Sequence, residues 1–213
     1  MPAQIEHGDK PLDPAYEALW LDRIKHSSGM IDSADPERPI LPGHGIFLAH
    51  AFTKLLTPER TIDPESQAKL TGLLARFRAA GNGAHCALER EGWGARLMSP
   101  ETALQLDEDQ VRNADYLVSF PQGSDGAFLE LGFRLAESKP TILIWSQNLM
   151  SDDAARNAEE RYYMLGMLGV LESQGIPNLL IEDATTSRQE FEATITPQIL
   201  SWIGQQQPQP EPA

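Results

Sequence analysis

Two carboxylates and a short glycine-containing loop carry the chemistry that this chain offers. Glu130 follows a turn cluster at residues 121–126 and opens a helical pattern at 127–137, in which Phe128, Leu131 and Leu135 recur at helical spacing. The spacing predicts Glu130 in the first turn, facing the loop, where the positive end of the helix dipole favours an ionised carboxylate. An ionised and fixed carboxylate is what a covalent glycosidase nucleophile requires. Asp107 is predicted at the mouth of a short helix over about residues 108–113. A pair of carboxyls at one pocket, one ionised and one able to hold a proton, is the equipment of acid–base glycoside chemistry. Each also has a purely structural reading: Glu130 as a complement to the helix dipole, Asp107 with Gln110 as an N-cap box.

The elements that must position these residues lie in residues 114–145. An apolar run at 116–120, the turn cluster, the helix, the stop Lys139-Pro140 and a second apolar run at 141–145 make a strand–loop–helix–strand unit. That is the signature of a parallel crossover. Ligands of open parallel sheets sit at the carboxyl ends of strands beside helix N-termini, which places the site at residues 122–126. Further strands are predicted at 46–49, 84–88 and 178–181. Helices are predicted from Asp63-Pro64-Glu65 to about Ala80, at 152–171 and at 188–203, with a polar loop at 89–100. Short apolar strands alternating with helices imply an α/β domain, a five-stranded parallel sheet with helices on both faces in the order 2-1-3-4-5. This domain spans 44–204. Residues 1–43 form an extension with one helical stripe (Tyr16, Leu19, Trp20, Ile24) and a linker; residues 205–213 are a disordered Gln/Pro tail. The stripe could dock on its own domain or on a second subunit.

The 213 residues suffice for one α/β domain, and their net charge is -14. So acidic a surface argues against nucleic-acid polymers and anionic membrane faces as partners. The lone Cys86 fits a reducing compartment and a core position, and neither a signal peptide nor a membrane-length apolar run is visible, so the protein is expected in the cytoplasm. There is no dinucleotide fingerprint, no phosphate-binding loop ending in Lys-Ser/Thr and no metal-ligand spacing, so neither cofactor nor metal is expected. His50 stands at the carboxyl end of the first strand, near the presumed pocket. Arg90, Arg96 and Lys54 read as solvated surface charges.

The run Ala114-Asp115-Tyr116-Leu117-Val118, then Ser124-Asp125-Gly126, then Glu130-Leu131-Gly132-Phe133-Arg134-Leu135-Ala136 and Lys139-Pro140, resembles the core of the nucleoside 2-deoxyribosyltransferase superfamily. Ile46-Phe47-Leu48-Ala49 is similar to its first strand, and Asp107 stands eight residues before Asp115 as in that family. The resemblance covers roughly 45–145. It implies a flavodoxin-like (Rossmann-like) fold and cleavage of N-glycosidic bonds. It implies Glu130 as nucleophile at the anomeric carbon, Asp107 at the sugar and leaving base, and Phe47 bordering the base, with Ala49, His50, Ser124, Asp125 and Gly126 also at the substrate.

Transferases of this family carry an aspartate six residues before the nucleophile, where this chain has Ser124. A serine there is similar to the nucleoside 5′-monophosphate N-hydrolases: a neutral donor at a helix N-terminus accepts a dianion that a carboxylate would repel. Asp125 opposes phosphate if it points inward. The loop His50-Ala51-Phe52-Thr53-Lys54 departs from the Gly/Arg-rich loop of the deoxynucleotide hydrolases. The resulting expectation is an N-glycosidase of a nucleoside 5′-monophosphate, similar to the pyrimidine (CMP or hydroxymethyl-CMP) hydrolases. The alternatives are a 2-deoxyribosyltransferase on free nucleosides, an NAD-type glycohydrolase and a non-catalytic nucleotide-binding module. The expected partners are a small-molecule nucleotide or nucleoside and a second copy of the chain, since family members commonly share sites across subunits.

Overall fold

The computed structural model describes residues 12–27, 29–50, 55, 62–96, 98–150 and 152–207. Residues 51–54 of the loop after the first strand, the first eleven residues and most of the Gln/Pro tail lie outside these. Strands β1 (Gly45–His50), β2 (Gly83–His85), β3 (Tyr116–Phe120), β4 (Thr141–Ser146) and β5 (Asn178–Asp183) form one parallel sheet in the order β2-β1-β3-β4-β5. This is the flavodoxin-like, Rossmann-like order expected from the sequence. It explains the unbroken apolar runs, because helices cover both faces and leave no strand side for water.

Residues alternate between two cores with the period of the strand. Ile46, Leu48, Val118, Ile142 and Ile144 face the helices α2 (Pro64–Ala79) and α7 (Arg188–Gln206). Phe47, Ala49, Leu117, Leu143 and Trp145 face α4 (Pro100–Asn113), α5 (Asp125–Glu137) and α6 (Ala154–Ser173). Leu70, Leu73, Leu74 and Phe77, the stripe read from the sequence, are the buried face of α2. Asp63 caps α2 by accepting from the Ser66 amide at 2.8 Å, with Pro64 in the first turn.

Four boundaries differ from the sequence reading, each for a local reason. β2 is only three residues long and passes at Ala87 into a one-turn helix, α3 (Ala87–Arg90). α4 starts at Pro100, not near residue 108: Ser99 caps it by accepting from the Thr102 amide at 3.3 Å. Asp107 therefore lies inside a helix and has no N-cap role. The inward face of α4 includes Thr102 and Gln110, which interrupt the apolar stripe and hide the helix from a periodicity count. α5 starts at Asp125, which moves Glu130 from the first turn to the second. α7 continues through Gln206, two residues into the stretch read as a tail.

The N-terminal stripe is α1 (Pro14–His26), and it docks on its own chain. Trp20 is fully buried against Ile31, Met98 and Leu106. Beyond it, Ile31 bridges Pro39, and the fully buried Asp32 accepts from Arg78 Nε at 3.1 Å and Nη2 at 2.7 Å. Gly83 stands where this segment crosses the sheet edge, and a Cβ there would collide with the Ile40 side chain. Among the described residues no helix is long and apolar enough to cross a membrane.

Candidate active site

β1 and β3 end side by side, with His50 and Phe120 in register. Their rings lie 4.8 Å apart between centroids and separate two cavities at the carboxyl edge of the sheet. One cavity, of about 170 Å³, is walled by α3, α4 and α5, and His50, Glu91, Asp107, Ser124, Gly126 and Glu130 line it. The other, of about 250 Å³, lies between the N-termini of α2 and α7. Lys69 reaches into it and donates to Asp183 at 3.1 Å.

The first cavity brings together Glu130, Asp107, His50, Ser124 and Gly126. The structure places the remaining candidates elsewhere. Phe47 and Ala49 point from β1 into the core, 0% and 1% exposed, and Phe47 stacks on the buried His85 at 5.7 Å. The base-bordering role read for Phe47 finds no support, because the alternation of β1 turns that side chain under α4 and α5. Asp125 is exposed on the outer side of α5 and lines a different groove with Arg156 and Tyr163, so it points away from the carboxylates.

Two residues that the sequence reading passed over complete the site. Arg90, read as a surface charge, is 0% exposed. Its guanidinium donates through Nη1 to Asp107 at 2.7 Å and through Nη2 to Glu91 at 2.9 Å, while Nε has no partner among the described residues. The triplet Glu89-Arg90-Glu91 looks like a solvated charge run until the fold wraps it. The available signal was the Gly92-Trp93-Gly94 run that follows, a tight reversal in which all three residues have positive φ (58°, 59° and 83°).

Arg134 fixes the angle between the helices that carry the two carboxylates. Fully buried in α5, it donates to the carbonyls of Val111 at 3.1 Å, Asp115 at 2.8 Å and Pro140 at 3.2 Å, and to that of Ala114. It thus ties the C-terminus of α4 to the starts of β3 and β4. Glu130 stands one helical turn before Arg134 and comes to the cavity by the same anchoring.

The electrostatics differ from the expectation of an ionised Glu130. Burial and then the negative charge of Asp107 push the Glu130 carboxyl well above the ordinary carboxylate range, with Arg90 opposing. Burial also raises Asp107 and Glu91, against the pull of Arg90 on both. Arg90 stays cationic, because these two acids more than offset its burial. Asp107 and Glu91 share the guanidinium, and among the described residues no donor reaches Glu130. The dipole of α5 is too weak here, since it falls off within the first turn and Glu130 sits in the second. Below the cavity the chemistry is quiet: burial pushes the Cys86 thiol up to about 12 and holds His85 neutral, down to about 3.

At the mouth, Ser124 caps α5 by accepting from the Ala127 amide at 3.1 Å. That amide is therefore committed to the cap. Among the described residues the Ser124 O–H and the Gly126 amide, both lining the cavity, have no acceptor. Among the described residues no three His, Cys, Asp or Glu side chains cluster to hold a metal ion.

No protein-family model matches this chain, and no curated protein matches it in sequence. Solved structures do. BlsM, known from a solution structure, is 24% identical, with a TM-score of 0.56 over 81% of this chain and 100% of its own. The CMP N-glycosidase BcmB of Clostridium botulinum is 19% identical over 71% of this chain and 97% of its own, with a TM-score of 0.47. A conserved protein of Enterococcus faecalis V583 is 13% identical over 76% and 97%, also at 0.47. The chain thus has the α/β fold of BlsM, with the cavity of Glu91, Asp107 and Glu130 at the edge where such sheets hold their ligands.

Proposed function

We propose that the protein is an N-glycosidase that cleaves the base–sugar bond of a nucleoside 5′-monophosphate of the CMP type. The observation that carries this reading is the cavity where Glu130, with no counter-ion of its own among the described residues, faces Asp107, which has one in Arg90. Two carboxyls of unequal environment are the acid–base pair that glycoside chemistry needs. The sequence resemblance to the nucleoside 2-deoxyribosyltransferase superfamily supports it.

In this mechanism the resting protein carries a proton on Glu130. The departing base takes that proton and leaves neutral. Glu130, now ionised, bonds to the anomeric carbon as the base–sugar bond breaks. Asp107 in its ionised form, oriented by Arg90, then draws a proton from water as the water oxygen displaces Glu130 from that carbon. The proton returns to Glu130, and the net reaction is hydrolysis. Ser124 and the Gly126 amide at the N-terminus of α5 hold the phosphate. One specific observation favours a second reading, transfer between free nucleosides: among the described residues, the ionisable groups lining the cavity are Glu91, Asp107, Glu130 and His50, with no lysine or arginine. Incubation of the protein with CMP, cytidine or deoxycytidine, with and without an acceptor base, decides. Free cytosine from CMP alone supports the hydrolase, and base exchange on deoxycytidine supports the transferase. Binding without turnover of any of the three excludes both.

A further inference from the structure

Two of the three helices that wall the cavity, α3 and α4, rest on α1. The Tyr16 hydroxyl donates to the backbone carbonyl of Arg90. Glu17 accepts from the Ser99 amide, from Ser99 Oγ at 3.2 Å and from Thr102 Oγ1 at 3.1 Å, which closes the N-terminal turn of the helix that carries Asp107. Between these two contacts Trp20 fills the space behind α4. Further along, the Ile31 amide donates to Gln110 on α4 at 2.7 Å, and Arg78 binds both Asp32 and Glu89, the residue before Arg90. A segment outside the sheet thus grips α3 at Glu89 and Arg90, and α4 at Ser99, Thr102 and Gln110. Simple docking of a helix needs a buried apolar stripe, which Trp20 supplies. It does not need two polar contacts aimed at the supports of one buried guanidinium.

We propose that Tyr16 and Glu17 are positioning residues for the reaction, acting through Arg90: they hold α3 and α4 at the separation that lets one guanidinium bind Asp107 and Glu91 together and leaves Glu130 unpaired. This rests on the glycosidase reading for its consequence, but its geometry is independent of the substrate. The groups that face Glu130 are Asp107 from α4, Glu91 and Arg90 from and just after α3, His50 from β1 and Cys86 beneath. If the brace loosens, the guanidinium withdraws and the positive charge that opposes protonation of Glu130 is weakened. The carboxyl then ionises at higher pH. Since the reaction starts from protonated Glu130, this titration sets the alkaline limb of the pH–rate profile.

The test compares Tyr16→Phe, Glu17→Gln and Arg90→Lys with Trp20→Phe, which removes packing alone. Rates on CMP are measured against pH, together with melting temperature. Arg90→Lys keeps the charge but cannot span two carboxylates, and is expected to lower kcat at least about thirtyfold with little change in KM. Tyr16→Phe and Glu17→Gln are expected to lower kcat about three- to tenfold and to move the alkaline limb of kcat/KM to higher pH, in the same direction as Arg90→Lys. Trp20→Phe is expected to lower the melting temperature and leave the alkaline limb in place. If Tyr16→Phe and Glu17→Gln change only the melting temperature, the two residues are structural and the proposal is overturned. A wild-type protein that turns over no nucleotide or nucleoside refutes the glycosidase reading by itself. The brace is then decided by the 13C NMR titration of the Glu130 carboxyl, which must move up in Tyr16→Phe for the proposal to stand.

Discussion

Arg90 and Asp107 meet at 2.7 Å between a one-turn helix and the interior of another, with the guanidinium wholly out of water. The pairing sets the character of the site: it assigns the buried positive charge to Asp107 and Glu91, while burial and the charge of Asp107 raise the Glu130 carboxyl.

Glu130→Gln is expected to lose at least about a thousandfold in kcat while the protein stays folded. It is also expected to gain stability at neutral and alkaline pH. The folded carboxyl titrates above the ordinary 4.5, so between those values the native state binds more protons than the unfolded chain, and stability falls as pH rises through that window. The neutral amide of the variant carries no such penalty. Thermal melts at pH 5 and pH 8 check this: the stability gain of the variant must be larger at the higher pH. Near-normal turnover in the variant would remove Glu130 as nucleophile.

Asp107→Asn takes away a negative neighbour of Glu130 and leaves Arg90 free to favour its ionised form. The alkaline limb of kcat/KM is expected to move to lower pH, opposite to the shift expected for Arg90→Lys, while kcat falls at least about a hundredfold for want of the base that activates water. A pH–rate profile of both variants reads the two signs. Two shifts in the same direction would contradict the assignment of Arg90 to Asp107.

Ser124→Asp is expected to reverse the preference for nucleotide over nucleoside, because a carboxylate at the mouth of α5 repels phosphate. Ser124→Ala is expected to cost the nucleotide about tenfold more in kcat/KM than the nucleoside, the loss of one charge-assisted hydrogen bond. Since Ser124 also caps α5 through the Ala127 amide, Ser124→Ala will melt lower, whereas Ser124→Asp keeps a capping side chain. An equal loss on CMP and cytidine assigns Ser124 to the cap alone.

The chain is expected to form a homodimer through α6. That helix exposes Tyr162, Tyr163 and Leu165 at 74%, 55% and 46%, while its other face packs Met164, Leu168 and Leu171 into the core. Aromatic enrichment of this kind marks interface cores rather than solvated helices. Sedimentation at micromolar concentration is expected to give a dimer, and Tyr162→Asp with Leu165→Asp a monomer. A wild-type monomer contradicts the interface.

The strands of the sheet and most helices were legible in the chain, because each rests on local patterns, whereas the order of the strands came from the fold class alone. Apolar runs mark β3 and β4, Asp63-Pro64 starts α2, and a loop with a serine cap precedes Glu130. Those signals depend on backbone preferences and burial period, which neighbours in sequence carry. Asp107 was found as a candidate but set at a helix mouth, since Thr102 and Gln110 break the apolar stripe of α4 and only contacts to Glu17 and Ile31 explain why they are buried.

Only the tertiary structure decided what surrounds Glu130. Whether a charged side chain is solvated depends on what packs over it, and the groups over Arg90 come from Asp107 on α4 and Tyr16 on α1, far apart in sequence. The same holds for the ionisation of Glu130. The helix dipole, a local property, argued for a carboxylate. Desolvation and the approach of Asp107, properties of the assembled fold, outweigh it in the second turn. Phe47 likewise faces the core or the cavity according to the pleat of β1, which is settled when Phe47 pairs with Leu117 of β3 and with His85 of β2. The sequence therefore determined which residues could do chemistry and on which elements they stand. Packing among distant segments determined their charges, because burial and counter-ions are set by the whole chain.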